Sequence, residues 1–232
     1  GDVAANIETG ERMRRMTLML LLGLALPGVA LQEEKDRFSY RSNWIRIEWA
    51  RSGPELLFLS VDSLGEGKLD SNSVRPPEGG GTSEEGRLEG PTLSYKTWTI
   101  RFSEREMNLE PGKGAAALIW TFDPIREHPT LLGLFDSEGR IRLPALMHIP
   151  DRGTFCITSP DKGAVLEYRS ERAKGYYVRV GFSPSSRYRF EVVTVHPEIP
   201  EGVPGRAIRR NWLNIFQLHP QLRMLANHAA SD

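Results

Sequence analysis

A mainly β fold, a large antiparallel β-sandwich, is what this sequence predicts, and three observations carry that expectation. Apolar residues recur with a period of two instead of 3.6, about ten such runs follow one another at hairpin spacing, and no long helical period lies between them. Strands uninterrupted by helices pack sheet on sheet, which argues against a parallel α/β architecture. The 232 residues, 39% hydrophobic and 26% charged, fit one domain or one plus a fragment and suffice for a real core.

The first segment reads as an address. Met13-Arg14-Arg15-Met16 is a short basic stretch, Thr17 to Leu26 is apolar, and Pro27-Gly28-Val29-Ala30 supplies small residues for cleavage after Ala30. This is the pattern of a secretory signal peptide, with Met13 as initiator, residues 1–12 upstream of it, and a mature chain from Leu31. The apolar run is shorter than the roughly 20 residues of a spanning helix, so no stable membrane span is expected. The expected location is secreted or periplasmic. Thirty basic and thirty acidic residues cancel, leaving no net field for nucleic acid or an anionic membrane, so neither is an expected partner. Cys156 is the single cysteine, in the alternating run Thr154-Phe155-Cys156-Ile157-Thr158, and reads as a small buried apolar residue.

The strands follow in order. In Trp44 to Trp49, Ile45, Ile47 and Trp49 share one face while Trp44, Arg46 and Glu48 share the other, which predicts a half-buried strand. Leu56 to Val61 is the next. Gly65 to Pro91, containing PPEGGGTSEEG, is predicted to be a long mobile surface loop because its glycines, prolines and acids bury little apolar surface. Strand signals then recur at Leu93–Phe102, Ala116–Phe122, Leu131–Phe135, Arg140–Leu146, Gly153–Thr158, Val165–Arg169, Tyr176–Phe182 and Arg187–Val195. Asp136-Ser137-Glu138-Gly139 and Asp151-Arg152-Gly153 are predicted hairpin turns.

After His196 the pattern changes. Pro197, Pro200, Gly202, Pro204 and Gly205 mark a linker, and Arg206 to Leu218 places Trp212, Ile215 and Phe216 at helical spacing until Pro220. The expected division is residues 1–30 upstream plus signal, 31–196 sandwich, and 197–232 linker and helix. Ser231 and Asp232 are N-cap types with nothing after them to cap, so the sequence is expected to continue into a further helix. The segments RIRLPALMHIPDRGTFCITS (Arg140 to Ser159) and RRNWLNIFQLHPQLRMLANHAASD (Arg209 to Asp232) resemble the N-terminal portion of bacterial six-hairpin glycosidases, the glucoamylase-like and glycogen-debranching-like enzymes. The resemblance implies a supersandwich-type β domain, a linker, and then an (α/α)6 barrel holding the catalytic carboxylates. That barrel is missing from these residues, so no catalytic acid is carried over, and the barrel is the expected partner.

Residue types support no chemistry of the sandwich's own. Glycoside hydrolysis needs two carboxylates about 5 to 9.5 Å apart; Asp62, Asp123, Asp136, Asp151, Asp161 and Glu167 are available, but most sit at turns and none pair in sequence. His128, His148, His196, His219 and His228 are scattered without ligand spacing, so no metal is expected, and His148 reads as a hydrogen-bonded structural histidine. Gly79-Gly80-Gly81 leads into Thr82-Ser83-Glu84-Glu85 and not into a phosphate loop, so no nucleotide cofactor is expected. Sugar rings stack on aromatics, and Trp44, Trp98, Trp120, Tyr168, Tyr176, Tyr177 and Tyr188 read mostly as packing. The candidate substrate-binding residues are Arg210, Trp212 and Asn214, where an indole lies among amide and guanidinium groups; the bland reading is that Trp212 staples the helix between sandwich and barrel.

Two functions follow. The first is a non-catalytic N-terminal domain of a secreted glycoside hydrolase acting on poly- or oligosaccharides, packed on the barrel and shaping its active site. The second is a stand-alone secreted carbohydrate-binding or cell-surface interaction module.

Overall fold

A computed structural model describes residues 30–75, 83–122, 130–149, 152–171 and 177–193. The described chain is all strand and turn, a mainly β sandwich of antiparallel sheets. The first sheet has β1 (Ala30–Glu33), β2 (Arg37–Arg41), β3 (Ile45–Ala50) and β4 (Leu56–Val61) in sequence order. The second contains β5 (Val74–Arg75), β6 (Arg87–Glu89), β7 (Thr92–Ser94), β8 (Trp98–Phe102), β9 (Glu106–Pro111), β10 (Leu118–Phe122), β11 (Thr130–Phe135), β12 (Ile141–Ile149), β13 (Gly153–Thr158), β14 (Val165–Glu171), β15 (Tyr177–Phe182) and β16 (Tyr188–Val193). Its order is β5-β10-β15-β14-β12-β13-β16-β9-β8-β7-β6, with β11 along the other side of β12.

This second sheet folds back on itself, and β12 is where it turns. Ile141 and Arg142 pair with β14, whereas Ala145 to Ile149 pair with β13, and Leu143-Pro144 lies between the two stretches. One half-sheet, β5-β10-β15-β14, therefore faces the other, β13-β16-β9-β8. The side chains between them record the contact: the Trp120 ring of β10 lies 5.1 Å from Phe190 of β16 and 4.6 Å from Phe182 of β15. Trp49 of β3 meets Trp120 edge-on at 6.1 Å, and Tyr40 of β2 stacks on Phe102 of β8 at 4.7 Å, so the four-stranded sheet joins the same core. Sheets packed face to face in this way need inward residues at every second position, and that is the pattern read from the sequence.

The structure corrects several element assignments. Gly65 to Pro91 is not one loop: β5 and β6 form within it, Leu69 and Ser73 are fully buried, and Ser73 N–H donates to Leu59 O at 2.9 Å. Residues 76–82 lie outside the described residues. Leu93–Phe102 is two strands, split where Tyr95 N–H donates to Trp98 O at 2.8 Å. β1, β2 and β9 were not legible as strands, β9 because only Met107 and Leu109 alternate in it before Pro111. The strand at Ile45–Ala50 is more than half buried, because Glu48 on its outer face is clasped by Arg37 (2.9 Å) and Arg46 (2.8 Å). The hairpin at Asp136–Gly139 forms as expected, Asp136 N–H donating to Arg140 O at 2.9 Å, and Arg152 N–H donates to Ile149 O (3.2 Å) in the next one. The expected signal segment and the linker helix at 197–232 lie outside the described residues, apart from Ala30 at the start of β1.

Candidate functional site

Ser159-Pro160-Asp161-Lys162-Gly163-Ala164 joins β13 to β14, and its composition dictates a tight turn. Ser159 Oγ accepts from Asp161 N–H at 3.0 Å, and Gly163 takes a φ of 75°, in the left-handed region that a Cβ would strain. Lys162 is thereby left exposed on the turn. Beside it runs the start of β12, tied on by Leu143 N–H to Ala164 O (3.2 Å), with Arg142 opposite Val165. Between this turn, β12 and the Asp136–Gly139 hairpin lies an open groove of about 580 Å³, lined by Asp136, Arg140, Arg142, Asp161 and Lys162 among others. A second groove of about 430 Å³ continues past Ser159 and Pro160, which line both, towards Arg101, Arg187 and Arg189.

The acids of the groove are already committed. Asp161 accepts from Arg187 three times, through Nη2 (2.6 Å), N (2.7 Å) and Nε (3.2 Å), and the Arg187 hydrogen bonds hold its carboxyl down at about 2. Asp136 accepts from the amides of Glu138 and Arg140, both at 2.9 Å, and from Arg140 Nε at 2.8 Å. Desolvation acts to raise its pKa, but these Arg140 and Glu138 bonds together outweigh it and the carboxyl is lowered. Carboxyls held below the usual range are ionised at neutral pH and cannot serve as a general acid. The cations divide differently. Arg101 is paired with Glu110 (3.0 Å) and Arg189 with Glu106, but Arg142 and Lys162 are exposed and have no ion-pair partner among the described residues. Such an arrangement can take up an anion or a hydroxyl-rich ligand carrying one.

Of the residues weighed from sequence that the structure describes, Asp136 and Asp161 line the first groove and Tyr188 the second, and the others stand apart from both. Asp62 caps its own loop, accepting from Leu64 N–H (2.9 Å) and Lys68 N–H (3.0 Å). Glu167 stands exposed on β14, 4.0 Å from Arg169. His148 Nδ1 shares a 2.9 Å hydrogen bond with Thr154 Oγ1, as a structural histidine would. Among the described residues no three His, Cys, Asp or Glu side chains come together as a metal site. Cys156 is buried, and burial first, then Glu191, pushes its thiol up to about 12, so it is not a nucleophile. Trp98, Trp120 and Tyr188 are buried core residues, Tyr168 is partly buried against them, and Trp44 lies under the Arg105 guanidinium at 5.0 Å. Asp123, Asp151, Tyr176, Arg210, Trp212 and Asn214 lie outside the described residues. No described helix is long and apolar enough to cross a membrane.

Arg142 and Lys162 carried no signal in the sequence. Each follows an ordinary pattern, one outward on a strand and one in a turn, and only the pairing of β12 with β14 brings them together. No family model, no curated protein and no solved structure matches the chain.

Proposed function

We propose that the chain is a non-catalytic, carbohydrate-binding β-sandwich module of a secreted glycoside hydrolase. The observation that carries this reading is the split within the groove: its carboxylates are fixed in turn and ion-pair geometry, while Arg142 and Lys162 remain available to a ligand. The module holds polysaccharide, and bond cleavage belongs to a separate domain. The resemblance of Arg140–Ser159 and Arg209–Asp232 to six-hairpin glycosidases supports an (α/α)6 barrel as that domain, and the expected leader at Met13–Ala30 supports export. A stand-alone secreted binding module is the second reading, favoured by the continuous core that the described residues between Phe38 and Val193 form with one another.

The test is a turnover assay on purified residues 31–232 with aryl glycosides and an α-glucan. No hydrolysis is expected. Robust turnover abolished by Asp136→Asn or Asp161→Asn would overturn the reading. Fusing the chain to a catalytic barrel and finding polysaccharide turnover raised relative to the barrel alone would favour the first reading over the second.

A further inference from the structure

Two cations of the first groove are left unengaged. Arg140 and Arg187 are tied to Asp136 (2.8 Å) and Asp161 (2.6 Å), whereas Arg142 and Lys162 are exposed and have no ion-pair partner among the described residues. Both stand on backbone that is held in place. Arg142 is opposite Val165 where β12 pairs with β14, and the next residue, Leu143, donates its N–H to Ala164 O at 3.2 Å. Lys162 sits in a turn fixed by Ser159 Oγ, which accepts from Asp161 N–H at 3.0 Å, and by the clasp of Arg187 on Asp161. Groups carried on fixed backbone lose less freedom when a ligand arrives.

The charge around the groove is nearly balanced. Arg140, Arg142, Lys162 and Arg187 meet Asp136, Asp161 and Glu138, the last paired with Arg140 at 2.9 Å, so one positive charge is in excess. Glu167 and Arg169, 4.0 Å apart further along β14, cancel each other. A ligand with one negative group matches that excess; a chain with a carboxylate on every sugar would bring the remainder against the fixed acids. The rest of the lining suits hydroxyls and C–H surface. Asp161 Oδ1 accepts one hydrogen bond, from Arg187 Nη2, and keeps a lone pair for a hydroxyl, while Ser159 Oγ can donate its own proton. Leu143, Pro160 and Val165 supply an apolar wall. At about 580 Å³ the groove falls within the roughly 300–1,000 Å³ of small-ligand sites, so it takes a short stretch of sugar and not a long chain.

We infer that this groove binds a single uronic acid unit, a sugar with one carboxylate, at the end or on a branch of an otherwise neutral oligosaccharide. The planar fork of Arg142 fits the two carboxylate oxygens and Lys162 adds a point charge. Asp161 and Ser159 take ring hydroxyls, and the apolar wall meets the C–H face of the ring. The inference rests on the carbohydrate-binding reading and names the class of sugar.

Ligand-observed NMR titration of the full chain with methyl glucuronide and methyl glucoside at low salt tests it. The glucuronide should bind about tenfold more tightly than the glucoside, the worth of one charge-assisted hydrogen bond, and the advantage should shrink as sodium chloride is raised. Arg142→Ala/Lys162→Ala should bind the two sugars alike. Arg142→Lys, which keeps the charge and loses the fork, should fall between, and Lys35→Ala on the β1–β2 turn should behave like the unsubstituted chain. Circular dichroism checks that each variant keeps its strands. A glucuronide preference that survives in the folded double variant would overturn the proposal. So would inorganic phosphate displacing the glucuronide at equal concentration, which would mean a bare anion site, or tighter binding of polygalacturonate than of the glucuronide. A neutral glucan bound equally by the unsubstituted chain and the double variant, with no advantage for the glucuronide, would sink the uronic acid assignment while the module reading stood. No binding of any saccharide, acidic or neutral, would sink both.

Discussion

Trp98 and Trp49 are both buried indoles whose N–H groups meet different fates. Trp98 Nε1 donates to Ala116 O at 3.0 Å, whereas Trp49 Nε1 finds no acceptor among the described residues and its ring meets Trp120 edge-on. Trp98→Phe is therefore expected to destabilise more than Trp49→Phe, by about 0.5–1 kcal/mol, the net value of one hydrogen bond whose carbonyl water can still reach. Urea unfolding of the two variants measures the difference; equal losses would mean the Trp98 bond contributes nothing. Asp161 gives a pH signature. Its folded pKa, about 2, lies below its unfolded value near 3.9. The Asp161–Arg187 contribution is thus full above the unfolded value and lost as pH falls through the folded one. Unfolding at a series of pH values should show Asp161→Asn less stable than the unsubstituted chain at about pH 6, with the gap closing towards about pH 2. That Asp161 serves a turn was legible from Ser159-Pro160-Asp161; that its partner is Arg187, on the neighbouring connection before β16, was not, because an ion pair between residues so far apart in the chain depends on the pairing of β13 with β16 and leaves no local trace.

Among the elements, those with an unbroken alternation of apolar residues could be read directly. Ile45–Ala50, Leu118–Phe122 and Gly153–Thr158 announce themselves because one strand face is continuous core. Val74–Arg75 and Arg87–Glu89 could not be read: two or three residues hold no period, and their pairing is set by β10 and β7. The groove was illegible for a related reason, since it is a product of β12 changing neighbours between Arg142 and Ala145. Gly153, at the start of β13, shows what such junctions cost. A Cβ there would run directly onto Ser63 Oγ and lie 3.0 Å from Ser63 N, where Ser63 Oγ now accepts from Thr154 N–H at 3.0 Å. Gly153→Ala should lower stability by about 2 kcal/mol, the cost of overpacking plus a displaced hydrogen bond. Thermal unfolding checks it, and a melting temperature unchanged from the unsubstituted chain would mean that the loop after β4 moves aside freely.

For the molecule as a whole, the core side chains from Phe38 to Val193 close on one another. A chain ended near His196 should therefore keep its thermal transition within a few degrees of the longer chain, and light scattering should show less self-association once Trp212, Ile215 and Phe216 are gone. Loss of the transition would mean that residues 197–232 belong to the sandwich. The zero net charge read from composition averages over the surface, and the approach of Arg142 and Lys162 at the groove comes from the pairing of β12 with β14, which composition alone could not reveal.

β16 is the last described strand, yet it lies inside the large sheet, hydrogen-bonded to β13 on one side and β9 on the other. Until Tyr188 to Val193 arrive, the large sheet is two separate pieces with bare edges at β13 and β9, and no earlier described strand is hydrogen-bonded to both. On the ribosome the nascent chain must therefore wait, its apolar strands unsealed, until almost the whole sandwich has emerged. For that interval its safety depends on chaperones and on speed, and a stop codon placed just before Tyr188 would release a polypeptide destined for aggregation or proteolysis.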